Sequence, residues 1–246
     1  MLGFIVALFL SWLLLKFTVR EPVTVLGIIP NPRRMLEFLV GLGFLAAVGL
    51  INFLWQAHFK EISYQPNPNY GLGEMLRGAY VILKGVVFEE VAFRGALLYL
   101  LIRYLGIVKA CLLSSLVFGV YHWFSYEVLG ERLILMIYIL LVTGAGGWMF
   151  AFAFAKTRSM FAGTGLHLGW NLVAAIVFSA GPVGDQWLLP QGDPVQTSDW
   201  VTLIFFTLQA IVAPGIVTWY LQKAYRPAGT GEWTERRVAA PPDGIT

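Results

Sequence analysis

Charge is what this chain has least of. Only 13% of its 246 residues are Asp, Glu, Lys or Arg, while 58% are hydrophobic, and the mean hydropathy is +0.71. A soluble domain carries about 25% charged residues, so a water-soluble globule is excluded and a polytopic membrane protein is implied. Cysteine is nearly missing too. Cys111 stands alone in an apolar run, which rules out an intrachain disulfide framework and a Cys-based metal site, and leaves it the role of a small buried hydrophobe. Strand alternation, regular hairpin spacing, HExxH-like compact ligand spacings and internal repeats are all wanting. No basic region precedes the first apolar run and the first charge, Lys16, falls at its far end, so the first span is expected to be retained and not cleaved as a secretory signal.

Seven apolar segments remain, at about residues 2–19, 36–55, 75–102, 110–123, 133–155, 160–180 and 200–221, each long enough to cross or nearly cross a hydrocarbon core of roughly 30 Å. The expected fold is all-α, a transmembrane bundle of about seven to eight helices over residues 1–222, followed by a cytoplasmic tail, 223–246. From Pro227 on that tail is rich in Pro, Gly and charge and is expected to be unstructured. The third segment is long enough to break near its charges. Pro214 should kink or open the last, and Gly144-Ala145-Gly146-Gly147 should let helices approach closely.

The net charge of +3 is small, and Lys and Arg concentrate in alternate short loops. That pattern sets orientation in a membrane and does not describe a nucleic-acid surface. Lys16, Arg20, Arg33, Arg34, Arg103, Lys109, Lys156 and Arg158 share one side with the tail. The loop before the last segment carries Asp185, Asp193 and Asp199 without a Lys or Arg. The N-terminus is therefore expected outside and the tail in the cytoplasm.

Against that apolar background stands Phe88-Glu89-Glu90-Val91-Ala92-Phe93-Arg94. A charged residue near the bilayer centre costs roughly 2.5–3.5 kcal/mol on insertion scales and persists mainly at functional sites. Glu90 and Arg94, four apart, stack on one helix face and can pair. Glu89 points about 100° away, leaving its carboxylate free. His122 lies near the end of the fourth segment, and His167 and Asn171, one turn apart, lie in the sixth. At about 1.5 Å per residue, counting in from Arg103, Lys109 and Arg158 brings all of these groups to roughly 14–20 Å from one edge. Three helices deliver polar groups to one level. Such a set suits amide hydrolysis. A desolvated carboxylate takes a proton from water, a neutral histidine holds that water, and a His/Asn pair donates to the oxyanion. Ser114 and Ser115 lie nearer the cytoplasmic end, and their hydroxyls are expected to bond back to their own helix.

Glu89-Glu90-Val91-Ala92-Phe93-Arg94 resembles the EExxxR motif of the CPBP family, the CAAX-protease and bacteriocin-processing membrane proteins. Phe118-Gly119-Val120-Tyr121-His122 is similar to its FxxxH motif and His167-Leu168-Gly169-Trp170-Asn171 to its HxxxN motif. The ordered trio spans the core, residues 88–171. The resemblance implies a type II CAAX prenyl endopeptidase fold in a bacterial or archaeal cell membrane, acting on a peptide or membrane-protein substrate within the lipid bilayer. Glu89 with His122 would activate water, Arg94 would hold Glu90, and His167 with Asn171 would stabilise the oxyanion. A metal-independent glutamate mechanism is favoured, with a Zn site built from two His and a Glu as the alternative. Three further readings use the same residues: a structural ion-pair lock, a proton-coupled transporter, and a scaffold or regulator that keeps the fold without proteolysis.

Overall fold

A computed structural model describes residues 2–179, 181–225 and 233. The helices are α1 (Leu2–Thr18), α2 (Pro32–Phe59), α3 (Leu72–Arg94), α4 (Ala96–Leu105), α5 (Ile107–Ser125), α6 (Leu133–Thr157), α7 (Met160–Leu172), α8 (Asp199–Thr207) and α9 (Ala213–Ala224). Among the described residues five helical stretches are long and apolar enough to cross a membrane: 32–59, 107–125, 133–157, 160–177 and 199–224. Of the other two expected segments, α1 is apolar but shorter. The other divides into α3 and α4, and α3 carries Glu74, Arg77, Lys84, Glu89, Glu90 and Arg94. The chain is a multi-pass membrane protein.

Local sequence explains where these helices begin and bend. Asn31 caps α2, its side chain accepting from the Arg34 N–H at 2.9 Å, with Pro32 at the first helical position. The expected break in the third segment falls at Gly95, directly after Arg94; a Cβ there would collide with the Val91 carbonyl. The last span is opened by a π-helical turn at Leu208–Val212, just ahead of Pro214. The ring removes an N–H and crowds the preceding turn. A second π-helical turn, Val173–Val177, extends α7.

Helices α2 and α7 pack with their backbones nearly touching. Side chains at Gly165 and Gly169 would strike the Phe38 and Leu42 carbonyls, and one at Gly41 would sit 2.9 Å from the Ala162 carbonyl. This is a small-residue seam of the kind that drives helix association in lipid. Gly144 and Gly147 likewise bring α6 against Ser115 of α5.

One expectation is corrected. Ser114 and Ser115 do not bond back to their own helix: Ser114 Oγ donates to the Phe93 carbonyl at 3.3 Å and Ser115 Oγ to the Gly144 carbonyl at 2.7 Å, tying α5 to α3 and α6. The loops also carry a short strand pair. Strand β1 (Ser63–Pro66) pairs antiparallel with β2 (Leu188–Gln191), Ser63 opposite Gln191. Four-residue strands are too short to show an alternating pattern, yet pairing satisfies backbone groups that two loops would otherwise leave open.

The loops gather at two ends. At one end Ser159 Oγ donates to the Gly27 carbonyl at 3.2 Å, and Tyr225 donates to Glu37 at 2.8 Å. Arg33 and Arg34 in the first turn of α2 and Arg158 at the end of α6 lie there. At the other end Asn67 Nδ2 donates to Asp185 Oδ1 at 2.9 Å, beside the β-pair. The tail expected at 223–246 falls largely outside the described residues. Lys223 and Ala224 complete α9, and Trp233 is buried against Tyr99 and Phe154.

Candidate active site

Helix α3 contributes two glutamates with different surroundings. Glu90 and Arg94, stacked one turn apart, face the bundle interior with side chains 1% and 0% exposed, Arg94 Nη1 lying 3.4 Å from Glu90 Oε1. Glu89, rotated away on the same helix, stays 17% exposed. Helix α7 sets His167 across both. Its Nδ1–H donates to Glu90 Oε1 at 2.9 Å, while Nε2 lies 3.6 Å from Glu89 Oε2. One imidazole thus touches a fixed carboxylate through one nitrogen and faces an accessible one through the other.

Arg94 is held as much by rings as by hydrogen bonds. Its guanidinium lies 4.0 Å from the Phe118 ring centre and 5.1 Å from that of Phe150, a favourable placement for a desolvated cation. Nη2 donates to the Gly147 carbonyl at 3.4 Å. Gly163 of α7 completes the fit, because a Cβ there would approach Glu90 Oε2 to 3.3 Å and the Phe150 carbonyl to 3.0 Å.

His122 of α5 is oriented by its own helix. Its Nδ1 lies 2.8 Å from the Phe118 carbonyl. A carbonyl only accepts, so Nδ1 carries the proton and Nε2 presents a lone pair. The edge of Phe118 meets both imidazoles, with ring centres 4.5 Å from His122 and 5.8 Å from His167. Phe150 stacks on His167 at 4.6 Å. His122, His167 and Asn171 line one cavity of about 240 Å³, whose remaining wall includes Leu45, Tyr138 and Gln209. The structure therefore puts Glu89, Glu90, Arg94 and His167 in one contact network, and His122 and Asn171 on the adjoining cavity wall.

Sequence reasoning missed Phe150, Gly163 and the Gly147 carbonyl. Phe150 sits in the run Met149–Phe154 with nothing to single it out. Gly163 offered a faint signal, as one of three glycines crowded ahead of and around His167.

A zinc ion does not fit this donor set. Among the described residues no three His, Cys, Asp or Glu side chains are grouped to hold a metal ion, and His167 Nδ1 is already committed to Glu90.

Residues 71–173 match the family described as type II CAAX prenyl endopeptidase Rce1-like. Those residues form a core similar to that family's. That core runs from just before α3 to just after α7 and contains all three motifs. Helices α1, α2, α8 and α9 lie outside the matched region. No curated protein and no solved structure matches the chain. The matched core implies a membrane protease with a peptide substrate.

Proposed function

We propose that this chain is an intramembrane endopeptidase of a bacterial or archaeal cell membrane. It would hydrolyse a peptide or membrane protein delivered from the bilayer, with water as the nucleophile and no catalytic metal. The observation that carries the reading is His167 standing between a buried, Arg94-paired Glu90 and an accessible Glu89, beside a cavity that His122 and Asn171 share.

In this reading Glu89 is the general base, and His122 Nε2 accepts a hydrogen bond from the same water. As Glu89 removes one proton, the water oxygen bonds to the scissile carbonyl carbon and the carbonyl electron pair moves onto its oxygen. Asn171 Nδ2–H donates to that oxyanion, and so does His167 through Nε2, the ring carrying a proton on each nitrogen between the two glutamates in this step. The proton on Glu89 then passes to the departing amide nitrogen, the C–N bond breaks, and a carboxylic acid and an amine form, the second water proton leaving with the acid. Glu90 and Arg94 do not touch substrate; they fix the His167 ring. General-base catalysis of this kind contributes about 10²- to 10⁴-fold.

The test is purified protein in lipid nanodiscs with a panel of membrane-anchored peptides, the products being read by mass spectrometry. Wild type is expected to cut at a defined bond, and Glu89→Gln to lose about 10²- to 10⁴-fold in kcat/KM. A strong chelator is expected to leave the wild-type rate unchanged. Cleavage at full rate by Glu89→Gln would remove the mechanism, and loss of activity to the chelator with recovery on added zinc would replace it.

A further inference from the structure

Gln209 is a polar side chain at the middle of the last span, in the π-helical turn Leu208–Val212 between α8 and α9. Amides at that depth are costly unless bonded or used, and π-turns in helices are frequent at functional sites. Its side chain lines the same cavity as His122, His167 and Asn171. Gln209 Nε2 donates to Asn52 Oδ1 on α2 at 3.1 Å. Asn52 is only 4% exposed, and its Nδ2 has no hydrogen-bond partner among the described residues. The two amides hold each other across the bundle. With Nε2 anchored behind, Gln209 keeps Oε1 as an acceptor with no protein partner among the described residues.

In the same lining Leu45, Val48, Ile139 and Val142 are aliphatic. They suit an apolar side chain but offer nothing to a peptide backbone. An extended peptide entering this site must find acceptors for its N–H groups, because each one left unbonded in an apolar cavity costs free energy.

Building on the endopeptidase reading, we propose that Gln209 is a substrate-binding residue. Its Oε1 accepts a backbone N–H from an extended peptide with apolar side chains, and Asn52 is the positioning residue that fixes the amide. The last span is then part of the substrate site although it lies outside the family-matched residues.

The experiment measures binding of a fluorescent apolar peptide to Glu89→Gln protein in nanodiscs, and in parallel KM and kcat of the cleaving enzyme. Gln209→Met keeps the side-chain length and removes the acceptor. It is expected to weaken binding and raise KM about five-fold, with kcat within about two-fold. Peptides in which one amide N–H at a time is replaced by an ester oxygen give the decisive arm. One position is expected to lose about five-fold against Gln209 and nothing against Gln209→Met. Asn52→Leu is expected to weaken binding in the Gln209 protein and not in Gln209→Met. Equal affinity of Gln209 and Gln209→Met proteins, an ester penalty that is the same in both, or no binding by the Gln209 protein would overturn the proposal. Because binding is read on the Glu89→Gln protein, a peptide that binds this way but is never cut by wild type counts against the endopeptidase reading alone.

Discussion

Two recesses share walls from α2, α6, α7 and α9, one toward each end of the bundle, and they differ in what their polar groups are doing. The groove at the basic end is the larger, about 430 Å³, walled by Leu36, Val40, Phe44, Leu166 and Val217. Its polar residues stand at the mouth and are engaged with one another: Arg33 Nε lies 3.0 Å from Glu37 Oε1, which also accepts from Tyr225 at 2.8 Å. Burial and the Glu37 carboxylate push the Tyr225 phenol up to about 12. The smaller cavity, about 240 Å³, holds an imidazole nitrogen and amides that retain hydrogen-bonding capacity, next to a partly accessible carboxylate. Volume does not distinguish a site here. Polar groups left available inside an apolar bundle do.

A Glu/Arg pair one helical turn apart stands in the groove, Arg33 with Glu37, and another lies behind the His167 wall of the cavity, Glu90 with Arg94, so the same lesion can be made beside both. Arg94→Leu strands the buried Glu90 carboxylate, and a loss of about 3–5 kcal/mol of stability is expected. Arg33→Leu removes a cation whose side chain is 72% exposed, and about 0–1 kcal/mol is expected. Unfolding of the two variants in the same detergent checks the contrast; equal losses would erase the distinction between the recesses.

Next in size is the seam that carries both recesses. Gly169→Leu places a side chain against the Leu42 carbonyl and is expected to cost about 1–3 kcal/mol or more by overpacking, read as a lower unfolding temperature. The smallest effect is expected from filling the groove. Val40→Phe adds bulk at a position 52% exposed and should leave kcat/KM unchanged within about two-fold, since exposed substitutions away from special features rarely matter. A large loss of cleavage there would move the substrate path into the groove.

How much of this was readable from residues alone follows one physical line. Spacing along a helix says which side chains share a face, so the Glu90–Arg94 pair, the divergent Glu89 and the common depth of His122, His167 and Asn171 could be read directly. The break beside Arg94 and the opening before Pro214 are local backbone effects and were readable for the same reason. Spacing does not say which neighbour a face meets. Ser114 and Ser115 were therefore given to their own helix when they bridge to others. The seam at Gly165 and Gly169 stayed hidden behind the histidine motif, and Asn52 with Gln209, distant in sequence, gave no sign of meeting.

The central claim is that Glu89 and His122, from different helices, act on one water molecule. The direct test is a double-substitution cycle on kcat/KM with Glu89→Gln, His122→Ala and both together. Groups that act as one unit are non-additive, so the double variant is expected to be no slower than the worse single by more than about three-fold. Losses that multiply in full would mean that the two side chains work independently, and would contradict the account.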